Sequence, residues 1–256
     1  MAHDSESPRI GCVKYLNARP LIWGWEGEVN FDNPAALCRK LAAAEIDVAL
    51  VSSFEFLRNP IYSIVDGVSI SSDGPVYSVV VAHRDDIRAI KEIELDPASV
   101  TSASLLRGLL AELGLSPRLI SGSESIPLGR ARLLIGDQAI RFRQEHPDLR
   151  FWDLGQEWKR LVHVPFVYAV WLIRPEVVDK KGIAQELRAR RNENLANLDQ
   201  LIGEERDCNP EFCAHYYRDH LRFSFGEREK EGLRVFQRLC AKHGLLPNQE
   251  LGLRLF

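Results

Sequence analysis

The stretch NPAALCRKLAAAEIDVALVSS, residues 33–53, decides the fold class. Its first half reads as a helix. Asn33 offers a side-chain oxygen to the free amides of a first turn, and Pro34 suits the first helical position, where no N–H is needed. IDVALVSS then reads as a strand, apolar without alternation, as expected of one covered on both faces. Working outward, IGCVKYL (residues 10–16) is an earlier strand, broken by NARP, where Pro20 forces a turn or a new start. The chain thus opens strand–helix–strand, the unit of a parallel sheet layered with helices.

The same logic carries along the chain. YSIVDGVSISSDGPVYSVVVAHRD reads as strands broken at SSDG, and KEIELD, RLISG, ARLLIGD and RFWDL as short strands. PASVTSASLLRGLLAELGL is a loop running into an amphipathic helix, with Leu105, Leu106, Leu109, Leu110 and Leu113 on one face and Gly114 ending it. GQEWKRLV is a short helix. PFVYAVWLI is a long strand buried on both faces, and from Pro175 onward the pattern is almost wholly helical. There is a faint internal echo: residues 47–53 overlie residues 131–137, setting Ser52 and Ser53 opposite Gly136 and Asp137.

An α/β architecture of two lobes follows. Residues 9–83 with 172–256 form lobe 1 and residues 84–171 lobe 2, with VYSVVVAH and PFVYAVWLI as the two strand crossovers between them. A cleft hinged on two crossings can close on a small molecule.

Bulk properties narrow the class. With 45% hydrophobic and 27% charged residues the chain is globular rather than disordered, apart from a loose polar leader at residues 1–8. A net charge of −3 gives no electrostatic reason to expect nucleic acid, and the basic cluster at residues 188–191 reads as a solvated helix face. Apolar runs such as VPFVYAVWLI are too short for a membrane-spanning helix, and no secretory signal is present, so a cytoplasmic protein is expected. Cys12, Cys38, Cys208, Cys213 and Cys240 are odd in number without a CxxC pair and read as reduced thiols. No phosphate-binding glycine loop and no GxSxG elbow occurs. His215 and His220, five apart, miss the helical metal-pair spacing, and no metal site is expected.

Small polar groups gather where chain elements end. Asn17 follows a strand just before Pro20, where open α/β sheets place their ligand crevice; its amide can donate or accept. Ser52 and Ser53 close IDVALV, Ser72 precedes the turn at Asp73 and Gly74, and Thr101 and Ser102 stand at a helix start. Such a start presents unpaired amides and a positive partial charge, so an anion fits there without a lysine. Gly136 permits close backbone approach, and Asp137 is placed to cap the following helix. Lys14, Arg19 and Arg58 are candidate partners for a carboxylate, and His83 and His163 flank the crossing strands. Trp152, Trp158 and Trp171 read as core.

Taken in order, IGCVKYLNARPL, DVALVSSFEF, VSISSDGPVYSVVV, LDPASVTSASLL, ARLLIGDQAI, WDLGQEW, PFVYAVW and FGEREKEGLRVF resemble the chorismate dehydratase family of the futalosine route to menaquinone, over nearly the whole chain. The resemblance implies a type 2 periplasmic-binding-protein-like fold, loss of water from chorismate to give 3-[(1-carboxyvinyl)oxy]benzoate, and no cofactor. It implies a catalytic, substrate-orienting Asn17, with Ser52, Ser53, Ser72, Gly74, Thr101, Ser102, Gly136 and Asp137 around the substrate. A non-catalytic solute-binding protein and the related dihydroxynaphthoate synthase are the alternatives on the same fold. One departure stands out: Val162, His163, Val164 and Pro165 replace the family's usual Thr-Gly-Leu-Pro.

Overall fold

A computed structural model describes residues 7–96, 99–121, 129–206 and 208–256, so most of the expected leader lies outside the described residues. The strands are β1 (Ile10–Cys12), β2 (Val29–Phe31), β3 (Val48–Ser52), β4 (Ser63–Ser72), β5 (Val79–His83), β6 (Glu92–Leu95), β7 (Arg118–Ser121), β8 (Arg130–Ile135), β9 (Arg150–Asp153), β10 (Phe166–Ile173) and β11 (Arg222–Phe225). They form two sheets, ordered β11-β4-β10-β3-β1-β2 and β7-β6-β8-β5-β9. Helices layered on these sheets complete an α/β fold of two lobes.

The two sheets share one plan. β4-β10-β3-β1-β2 matches β9-β5-β8-β6-β7 strand for strand. The β3–β1–β2 and β8–β6–β7 pairings are parallel. β10 and β5 each run antiparallel to both neighbours. The echo between residues 47–53 and 131–137 therefore reflects matching places: β3 and β8 are the equivalent central strands. Each ends in a helix start, Ser53–Arg58 and Gly136–Glu145.

The lobe boundary differs from the expected one. β5 pairs wholly with β8 and β9, and β10 wholly with β3 and β4, so neither strand crosses between lobes. The sheet of the second lobe is built from residues 79–153 rather than from 84–171. The crossings are residues 73–78 and the stretch containing the helix Leu154–Val162. A fully buried apolar strand does not reveal which sheet it joins, so the sequence located the crossings but displaced them by one strand.

Local chemistry accounts for the elements around the cleft. Asn33 Oδ1 accepts from the Ala36 amide at 2.9 Å, with Pro34 in the first turn of the helix Pro34–Ala42. The helix Val100–Glu112 buries Leu105, Leu106, Leu109 and Leu110, and Gly114 follows it at φ +66°. A Cβ on Gly108 would sit 2.7 Å from Leu239, so glycine lets this helix lie against the helix Glu227–Lys242. The main apolar core runs through both lobes without a break, and a smaller cluster around Val80, Leu134 and Leu149 lies apart from it.

Three expectations for the C-terminal part are corrected. β11 interrupts the helical run and forms a sheet edge; its four residues alternate exposed and buried. The basic cluster is not a solvated face: Arg188 donates to the Phe256 carbonyl at 2.6 Å and Arg191 to those of Phe223 at 2.7 Å and Gly67 at 3.0 Å. The spacing of His215 and His220 is absorbed by a π-helical turn at Tyr216–His220, which brings their rings to 4.8 Å. All five cysteines are free thiols, and Cys208 and Cys213 lie in hydrogen-bonding contact across the start of the helix Pro210–His215. Among the described residues no helix is long and apolar enough to cross a membrane, and no cluster of three or more His, Cys, Asp or Glu residues is arranged to hold a metal ion.

Candidate active-site cleft

A cleft opens between the ends of β3 and β8, with an empty volume of about 640 Å³ counted out to its open mouth. That lies within the range of small-molecule sites, about 300–1,000 Å³. Five of the nine expected residues line it: Asn17, Ser52, Thr101, Ser102 and Gly136.

Asn17 sits in the single 3₁₀ turn Leu16–Ala18 after β1. Its Oδ1 is buried and has no partner among the described residues. Its side chain is hydrogen-bonded to the phenol of Tyr216, which in turn donates to Ser78 Oγ at 2.6 Å. On the other side of the cleft, residues 99–102 all face the opening. They start a 13-residue helix whose N-cap, Ser99, makes no side-chain capping bond. The first-turn amides of this helix are therefore presented to the cleft with their positive partial charge. Ser99 Oγ is a second buried polar atom without a partner among the described residues.

The lobes meet directly at the site. The Ser52 and Thr101 hydroxyls hydrogen-bond across it, and Thr101 Oγ1 also accepts from the Phe54 amide at 3.2 Å. Gly136 adopts φ +56° and donates its N–H to the Ser78 carbonyl at 2.8 Å. The Tyr15 ring lies against it, 3.1 Å from where a Cβ would stand.

The other four expected residues turn away from the wall. Ser53 donates to the Val167 carbonyl at 2.7 Å inside the core. Ser72 bonds to the Gly74 carbonyl and to the Tyr168 hydroxyl, both at 3.0 Å, so Ser72 and Gly74 buttress Tyr168, which does line the cleft. Asp137 does not cap its own helix. Its carboxylate reaches into the other lobe and accepts from the Leu16 amide at 2.9 Å, next to Asn17.

Sequence reasoning passed over Tyr15, Ser78, Ser99, Tyr168 and Tyr216. Ser99 carried a local signal, as a serine just before a helix start. The tyrosines and Ser78 reach the site through tertiary packing alone.

Among the described residues no Asp, Glu, Lys, Arg or His side chain lines the cleft. The candidate cations are engaged elsewhere or exposed: Arg19 pairs with Glu205 at 2.6 Å, Arg58 with Glu55, and Lys14 lies on the surface. His83 Nδ1 contacts the Asp85 carbonyl at 2.6 Å, and His163 is an exposed left-handed C-cap at φ +62°. Burial pushes the Tyr168 and Tyr216 phenols well up. Tyr15 rises too, first by burial and then by the carboxylates of Asp96 and Asp137. The wall is thus neutral at physiological pH. It offers hydroxyls, amides and one carboxamide, and no strong base.

A family model described as menaquinone biosynthesis matches residues 8–242. The chain belongs to this menaquinone-biosynthesis family. A chorismate dehydratase of Thermus thermophilus is 32% identical over 252 residues, spanning 89% of this chain and 93% of that protein. Among solved structures, a protein of Archaeoglobus fulgidus superposes with a TM-score of 0.74 at 19% identity, covering 95% of this chain and 100% of that one. The periplasmic aliphatic sulphonate binding protein of Escherichia coli gives 0.61 at 13% identity, covering 94% and 88%. At these identities the solved structures speak for the fold, which is periplasmic-binding-protein-like in two lobes. In this member of the menaquinone-biosynthesis family the motif IGCVKYLNARPL supplies β1 and the turn bearing Asn17, and ARLLIGDQAI supplies β8 and Gly136.

Proposed function

We propose that this chain dehydrates chorismate to 3-[(1-carboxyvinyl)oxy]benzoate, in the cytoplasm and without a cofactor. The observation that carries the reading is the neutral cleft wall, set beside the 32% identity to a chorismate dehydratase. Chorismate suits a site without a base because it brings its own. Its C3 proton is vinylogous to the ring carboxylate, so the charge left on removal delocalises there. The enolpyruvyl carboxylate stands close enough to take that proton, and departure of the C4 oxygen as water makes the ring aromatic.

The work left to the protein is placement. The amides at residues 99–102 and the hydroxyls of Ser52, Ser99, Thr101 and Ser102 supply donors for a carboxylate. Asn17 orients the ring from the opposite wall. Holding reacting groups in place can account for about 7–11 kcal/mol of a barrier at the upper end. The apolar remainder of the wall, including Val13, Leu50, Ile70 and Ile135, excludes water and fits a carbocycle.

The test is direct. Purified protein mixed with chorismate is expected to develop aromatic ultraviolet absorbance and a product lighter by one water. Asn17→Ala is expected to lower kcat/KM by about 100-fold, the scale on which an oriented polar group acts. Chorismate bound tightly but recovered unchanged would make this a solute-binding protein. Full turnover by Asn17→Ala would remove Asn17 from its role.

A further inference from the structure

The Asn17 carboxamide has a donating end and an accepting end, and the protein treats them differently. Tyr216 has one phenolic proton, and it goes to Ser78 Oγ at 2.6 Å. Toward Asn17 the phenolic oxygen is therefore an acceptor, and the hydrogen bond between these side chains has the Asn17 Nδ2 group as its donor. Tyr216 is fully buried, so this relay is shielded from water. Asn17 Oδ1 is left buried and without a partner among the described residues, on a residue that lines the cleft. A buried carbonyl without a donor carries a desolvation cost that an arriving donor relieves.

We infer that Tyr216 is a positioning residue that locks the Asn17 amide with Oδ1 toward the substrate, and that Oδ1 receives the C4 hydroxyl rather than a carboxylate. The inference rests on chorismate being the substrate. At neutral pH chorismate offers two carboxylates, which only accept, and one hydroxyl, its only donor. A carboxylate against Oδ1 would set acceptor against acceptor with no proton between them. The carboxylate donors lie instead across the cleft, at residues 99–102.

The arrangement bears on the leaving group. A C4 hydroxyl that spends its proton on Asn17 keeps its lone pairs free. The C3 proton, carried by the enolpyruvyl carboxylate, then passes to that oxygen. The C3–H electrons become the C3–C4 π bond, the C4–O electrons leave with the oxygen, and water departs. No other reactant is needed.

A double-mutant cycle with Tyr216→Phe and Asn17→Ala tests the relay, with thermal melting to follow folding. Tyr216→Phe is expected to lower kcat about tenfold with a smaller change in KM, and by less than about twofold once Asn17 is already alanine. Equal losses in both backgrounds would make Tyr216 a packing residue and overturn its assignment. Should Tyr216→Phe not fold, Ser78→Ala serves instead. It frees the phenolic proton to seek Oδ1, and its loss of kcat is likewise expected to vanish in the Asn17→Ala background.

Binding of 4-deoxychorismate, followed by calorimetry, tests the hydroxyl. It is expected to be equal for the unmodified protein and Asn17→Ala. Weaker binding by Asn17→Ala would put Asn17 on a carboxylate and overturn the assignment. Failure of the unmodified protein to release water from chorismate would overturn the substrate reading and the hydroxyl assignment with it. Turnover with an additive cycle would overturn the Tyr216 role alone.

Discussion

Gly136 meets two demands at once. Its φ of +56° lies in the left-handed region, and the Tyr15 ring occupies the space a Cβ would need, 3.1 Å away. Gly136→Ala is expected to cost about 1–2 kcal/mol from the backbone alone and to push Tyr15 aside. Thermal melting should show the loss, and chorismate titration a weaker complex. At this scale the sequence was half legible. Helix starts and strand ends marked where small polar residues collect, and Asn17, Ser52, Thr101, Ser102 and Gly136 stand on the wall as that logic expects. It does not tell which of two adjacent serines faces the ligand. Ser52 points into the cleft while Ser53, one residue on, begins a helix and turns into the core. Tyr216 is more than 200 positions from Asn17, and no spacing rule connects them.

Elements were more legible than their ends. Capping at Asn33, the glycine stop at Gly114 and the unbroken apolar run of β10 follow from local rules, and each is present. β11 was hidden because four alternating residues next to a helical pattern carry too little signal. His163, where relatives carry glycine, takes the left-handed C-cap of the helix Leu154–Val162. The departure thus falls on a helix stop and not on the cleft wall. Further from the cleft, Glu112 ties the end of the helix Val100–Glu112 to Lys242 at 2.7 Å and His243 at 2.5 Å. The hydrogen bonds from Lys242 and then His243 hold its carboxyl below the ordinary carboxylate range. A carboxylate shifted down in the folded state stabilises above its ordinary pKa, and the contribution fades as pH falls through the folded value. Glu112→Gln is expected to melt lower than the unmodified protein at pH 7, with the gap closing below about pH 4. A constant gap across that range would separate the clamp from the charge.

For the whole molecule, the question is how two lobes hold one closed geometry. The main core is continuous through both, and the contacts across the cleft are few and polar. Asp137 is the most telling, because its carboxylate holds the amide of the turn that carries Asn17. Asp137→Ala is expected to raise the KM for chorismate about tenfold, as loss of a charge-assisted bond of about 1.5–3 kcal/mol implies. Small-angle scattering should show a larger radius of gyration. An unchanged KM would assign closure to the apolar core. The two-lobed plan itself was legible because alternating strands and helices admit few layerings. The exact crossings were not, since β5 and β10 differ from their neighbours only in the partners they choose.

The two sheets also differ in how their strands are drawn from the chain. One sheet uses the unbroken stretch 79–153; the other needs pieces from both sides of it, the last at Arg222–Phe225. Contacts between nearby residues form sooner than contacts that close long loops, and a chain emerging from the ribosome presents its N-terminal part first. The β7-β6-β8-β5-β9 sheet has all its strands once residue 153 is made, while β3 and β4 wait for β10 to come between them. Assembly is therefore staggered, and the groove that holds the substrate is among the last parts of the protein to exist.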